Sequence, residues 1–150
     1  MTIIKGDFSV STDRDRLDME FIHHFLSQES YWVRGIPFEK VKTAADHSLN
    51  FGVYHQDRQI GYARIITDYS RVAYLADVFV IPGYRGQGLS KWLMEQIMGH
   101  PDLQGLRRWI LHTSDAHGLY EQFGWTAAEK PETYMEQFFP DVYKNKGESL

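Results

Sequence analysis

Residues 85–90 read Arg-Gly-Gln-Gly-Leu-Ser, two glycines and a cation set directly before an amphipathic run. Backbone N–H groups of such a turn, opening onto a helix N-terminus, can close around an anion, and a pyrophosphate would also meet the charge of Arg85. A plain connecting turn accounts for the same residues. Two other side chains could handle protons. Tyr120 carries a phenol that is protonated at neutral pH, with an ordinary pKa of about 10, and can donate. Its helical spacing with Ala116 and Phe123 serves packing equally well. Asp77 interrupts the apolar run "RVAYLADVFVI", where strict strand alternation sets it on one face with Leu75 and Phe79. A carboxylate there is either a general base with a raised pKa or a group satisfied by an arginine such as Arg64.

These groups need elements to hold them. "DFSVST" suits a short strand, and the spacing of Leu17, Phe21, Phe25 and Leu26 predicts a helix between Asp13 and Ser27. Pro37 fits the first turn of a second helix whose face is Val41, Ala44 and Ala45. "NFGVYHQ" and "QIGYARIIT", joined at Asp57-Arg58, predict a hairpin, and "RVAYLADVFVI" a third strand. Leu89, Trp92, Leu93 and Ile97 mark one face of a helix that Gly99 and Pro101 end. "RRWILHT" then reads as a strand, "AHGLYEQF" as a short helix and "TYMEQFF" as a last strand. This order predicts a single α/β domain over residues 6–138, with a mixed, largely antiparallel central sheet flanked by helices, and a tail over 139–150.

The glycine loop has two well-known rivals. A Walker A loop requires Gly-Lys-Ser/Thr, whereas Gly88 is followed by Leu89 and Ser90. A dinucleotide fingerprint beginning at Gly86 meets Lys91 where its third glycine belongs, and it would follow an antiparallel meander instead of opening a parallel sheet. The stretch "VFVIPGYRGQGLSKWLMEQI" instead resembles the acetyl-CoA motif of the GNAT superfamily of N-acetyltransferases, Q/R-x-x-G-x-G/A in a loop after a bulged strand. "AHGLYEQFGW" resembles that superfamily's second signature, an alanine four residues before a tyrosine. One helix and one strand separate the two, as in the family. Ser90 replaces the small apolar residue preferred at the end of the first motif, and Thr113 stands where many relatives carry asparagine.

The resemblance implies direct transfer of an acetyl group from acetyl-CoA to a primary amine of a small molecule or peptide. The alternative on the same fold is a non-catalytic acyl-CoA-binding or sensing domain. It implies that Arg85, Gly86, Gln87, Gly88, Leu89 and Ser90 hold the pyrophosphate. It further implies that the backbone of Val78, Phe79 and Val80 meets the pantetheine amides, with Thr113 and Ala116 close by. Tyr120 becomes the donor to the departing thiolate and Asp77 the candidate base. Physically, an alkyl ammonium of pKa about 10.4 must lose a proton before it attacks, at roughly 4–5 kcal/mol at neutral pH. Tyr31, Trp32, Arg34 and Phe51, from the first half of the chain, are candidate acceptor contacts.

Composition excludes several other classes. The 150 residues contain no cysteine, so disulfides and thiolate metal sites are out, and the seven histidines form no ligand spacing. A net charge of −4 argues against nucleic-acid binding. Neither a signal peptide nor a membrane span is visible, which leads us to expect a cytoplasmic protein with no metal. Oligomeric state stays open between a monomer and a homodimer.

Overall fold

The computed structural model describes residues 1–144. Six strands form one sheet in sequence order: β1 Thr2–Lys5, β2 Phe8–Ser11, β3 Leu49–His55, β4 Arg58–Thr67, β5 Val72–Val80 and β6 Arg108–Ile110. Neighbours are antiparallel from β1 through β5, and β6 runs parallel to β5. The helices are α1 Met19–His24, α2 Phe38–Asp46, α3 Leu89–Met98 and α4 His117–Glu121. This is the single α/β domain with a largely antiparallel sheet that the element order implies. No helix among the described residues is long and apolar enough to cross a membrane.

Each sheet face has its own core. On one, α3 buries Leu89, Trp92, Leu93, Met94 and Ile97 against Phe51, Val53, Ile65, Ala73, Leu75 and Val80. On the other, Ile22, Phe25, Leu26 and Val41 cover Tyr62 and Phe79, with the Phe25 and Phe79 rings stacked at 3.8 Å. The first helix starts later than spacing alone suggests. Asp18 accepts from the Phe21 N–H at 3.0 Å and so takes the N-cap. A 3₁₀ turn at Arg14–Arg16 precedes it, and a π-helical turn at Phe25–Glu29 carries it onward.

Three further differences concern strands. β1 lies ahead of the expected domain start at residue 6, its four residues pairing with β2 as a hairpin. The expected strand "TYMEQFF" is absent, and a 3₁₀ turn at Pro131–Thr133 leads into unpaired chain. Its aromatic residues suit a strand, but Met135 is 91% and Phe138 71% exposed, so neither face is packed and β-propensity finds no surface to act on. Residues 145–150 of the expected tail lie outside the described residues.

The third difference decides where the site residues face. Between Tyr62↔Phe79 and Arg64↔Ala76, one residue of β4 opposes two of β5, a β-bulge. Asp77 sits in it with φ 56°. Alternation therefore changes phase at Asp77. Leu75 packs in the α3 core, while Phe79 packs in the opposite core with Phe25, contrary to the shared face that unbroken alternation predicts.

Candidate active site

β6 pairs only with Val72, Ala73 and Tyr74. Beyond Tyr74 the two parallel strands part, and β5 from Leu75 to Val80 has no strand partner on its β6 side among the described residues. Backbone polar groups on such a stretch need partners. An extended ligand bearing amides can supply them; the stretch includes Val78, Phe79 and Val80, of which the Val80 carbonyl already accepts from Arg85 Nε.

The glycine loop follows at the end of this opening. Gly86 and Gly88 have φ of 81° and 82°, the left-handed region that glycine enters without steric cost. A Cβ at either would meet nothing within 4 Å, so conformation alone demands glycine here, and the space over the loop is open. Gly88 is the N-cap of α3 and, having no side chain, provides no capping bond. The first-turn N–H groups, Leu89 and Ser90 among them, are thus open to an anion. Leu89 anchors the turn in the core, 7% exposed. Arg85 donates from Nε to the Val80 carbonyl at 2.8 Å, tying the cation to the end of β5, and Gln87 is exposed beside it.

Tyr120 stands in the same packed cluster as Val80 and Leu89, 8% exposed. Burial pushes its phenol up to about 12, and nearby Tyr31 and Asp115 add to the rise. Ala116 sets the first turn of α4, its carbonyl accepting from the Leu119 and Tyr120 N–H groups. Thr113 caps this turn: Oγ1 accepts from the Ala116 N–H at 3.0 Å and the Asp115 N–H at 3.4 Å. The residue at the family's asparagine position is therefore engaged with its own chain.

Asp77 is also engaged. One carboxylate oxygen accepts from Trp32 Nε1 at 2.9 Å, and the other from Arg64 Nε at 2.6 Å. The Asp77 and Arg64 side chains are only 9% and 17% exposed, and Arg64 donates on to Ser48 Oγ at 3.2 Å. Both carboxylate oxygens are thus occupied by donors from the protein itself. Of the two alternatives open at Asp77, this is the geometry of the arginine-satisfied one.

The expected acceptor contacts divide. Trp32 reaches Asp77, and the adjacent Tyr31 accepts the Ser114 N–H on its phenol oxygen at 3.2 Å. The two rings, 5.0 Å apart, bridge from the β5 bulge to the approach of α4. Arg34 donates to the Gln28 carbonyl in the π-helical turn. Phe51 does not line the opening. It is fully buried in the α3 core, with its ring 5.7 Å from that of His100, so no surface of it is left to meet an acceptor.

The chain that carries this strand end, glycine turn and buried tyrosine has known relatives. The acetyltransferase (GNAT) family pattern matches residues 17–125. The chain belongs to the GNAT acetyltransferase family. It is 30% identical over 139 residues to a candidate acetyltransferase of Gibberella zeae, covering 77% of each chain. A crystal structure of a GNAT-family protein from Xanthomonas campestris is similar at TM-score 0.89 and 51% identity, covering 91% of this chain and 96% of that one. A protein of Staphylococcus aureus shares the fold at TM-score 0.70 and 23% identity, covering 88% of this chain and 99% of that one. As a GNAT member the chain is an acyltransferase. Sequence patterning does not single out Tyr74 and His112, whose rings lie 5.8 Å apart where β5 and β6 separate. No local spacing could find them, since only the sheet brings them together.

Proposed function

We propose that this GNAT protein transfers an acetyl group from acetyl-CoA to the nitrogen of a primary amine on a small molecule or peptide. The observation that carries this is the parting of β5 and β6 after Tyr74, with the uncapped start of α3 and the Tyr120 phenol in the packed cluster that borders it. Acetyl-CoA supplies the activated acetyl thioester. Residues 85–90 suit its pyrophosphate, since backbone N–H groups and one guanidinium are available there. The Val78–Val80 backbone suits its amides.

The protein's own contribution is positioning and proton supply. Tyr120 keeps its Oη proton to about pH 12 and serves as the donor where negative charge develops. Asp77 fixes the opposite wall, holding Trp32 and Arg64 together. In this account the acceptor's proton leaves to water, and the role of Asp77 is to position Trp32 and Arg64.

Calorimetric titration with CoA tests the binding half of the reading. Gly88→Val forces a β-branched residue into a left-handed conformation and reshapes the turn. The loss of one or two charge-assisted hydrogen bonds predicts about 10- to 100-fold weaker binding, with the far-UV spectrum unchanged. An unchanged affinity in a folded variant would reduce the loop to a connector. Binding without transfer to any amine would favour the sensing alternative.

A further inference from the structure

Beyond Tyr74 a second group of side chains extends from the opening toward the C-terminal part of the chain. The His112 ring lies 5.8 Å from Tyr74 and 5.9 Å from Tyr134, forming a short ladder of rings from β5 to the unpaired segment after residue 133. Tyr134 donates from its phenol to Glu136 Oε2 at 3.0 Å. Three residues along β5 from Tyr74 stands Asp77, whose side chain is largely buried where Glu136 is exposed. Asp77 has Arg64 as counter-charge, whereas no cation lies within 4.0 Å of Glu136 among the described residues. The half-buried Tyr74 phenol is raised by burial and lowered by Arg64, with smaller rises from Asp77 and Glu136. An uncompensated carboxylate beside exposed aromatic faces is the chemistry that holds an ammonium, by ion pairing and by cation–π attraction.

We infer that the acceptor carries a second, permanently protonated nitrogen, held by Glu136 over the rings of Tyr74, His112 and Tyr134 while the first nitrogen reacts. This rests on the proposed transfer to an amine. It makes Glu136 a specificity-determining residue that leaves the chemical step untouched. The acceptor class is accordingly a diamine or another dibasic molecule.

The test uses the full chain with acetyl-CoA, a series of straight-chain α,ω-diaminoalkanes and the n-alkylamines of equal length. The best diamine should exceed its monoamine in kcat/KM by about three- to thirtyfold, the scale of an exposed ion pair joined by a cation–π contact. Glu136→Gln keeps an acceptor for Tyr134. It should raise KM for the diamine until the preference is gone, leaving kcat and the monoamine kinetics within about twofold. Equal use of both amines by the parent protein, or an equal loss for both in Glu136→Gln, overturns the inference while transfer to an amine stands. Calorimetry with the same diamines in the presence of CoA separates the reverse case. Glu136-dependent diamine binding without acetylation upholds the cation site and removes the transfer reading. No diamine binding, together with no acetylation, removes both.

Discussion

At Asp77 the backbone turns to φ 56° while the side chain receives Trp32 and Arg64 together. Asparagine tolerates this conformation and still accepts from Trp32, so Asp77→Asn removes the charge and little else. Arg64 is then left with a half-buried guanidinium lacking its counter-charge, at a cost of about 1–3 kcal/mol. We expect a lower melting temperature and a pH–rate profile of unchanged shape. A variant with the parent's stability but no activity at low pH would make Asp77 the base after all. Tyr120 offers the opposite test. Its Oη makes no hydrogen bond among the described residues, so Tyr120→Phe should alter stability by less than about 1 kcal/mol. Turnover should fall about 10²-fold or more while KM for acetyl-CoA stays within about twofold, since the donor acts mainly as charge develops. Steady-state kinetics with the chemical step shown to limit turnover decides it.

The strands and turns around the opening are sensitive to small changes of shape. A Cβ added at Gly61 of β4 would meet the Phe79 carbonyl oxygen at 2.8 Å and side-chain atoms of Val53 and Val80 at 3.2 Å. Gly61→Ala should therefore push the end of β5 from its place, destabilising the protein by about 1–3 kcal/mol and weakening CoA binding along with it. Gly118 in α4 meets nothing within 4 Å, so Gly118→Ala should stabilise by about 0.4–1 kcal/mol through the unfolded chain. Urea unfolding of both variants measures the contrast. The hairpin of β3 and β4, the strand β5 and the helix α3 were legible because their patterns are local and long. The bulge at Asp77 was legible only through the family resemblance and not from the strand's own pattern, since it exists through pairing in which Ala63 faces two residues of β5. For the same reason Leu75 and Phe79 could not be assigned to opposite cores from alternation. "TYMEQFF" failed in the other direction, having a strand's composition but no strand to pair with.

Over the whole molecule, three buried phenols set the alkaline limit of stability. Tyr54 and Tyr120 are pushed up to about 12 by burial and Tyr62 is raised further for the same cause, against about 10 in the unfolded chain. Between these values the folded protein binds more protons than the unfolded one, so stability is complete below pH 10 and falls as pH rises through about 12. Each phenol contributes at most about 1.4 kcal/mol per pH unit, which denaturant midpoints read against tyrosinate absorbance will show. The glycine loop and the "AHGLYEQFGW" segment were legible because each is one short run of chain. The acceptor side proposed above was only half legible: Tyr31 and Trp32 are neighbours in the chain, whereas Tyr74, His112 and Tyr134 lie far apart in sequence and gather only in the fold. The most direct test of the account incubates the protein with acetyl-CoA and an amine panel, reading released thiol and acetylated-amine mass in the same sample. The account predicts thiol release that depends on the amine and equals the acetylated product mole for mole, and that falls about 10²-fold in Tyr120→Phe. Thiol released without acetylated amine, or no amine-dependent release from protein saturated with acetyl-CoA, would contradict it.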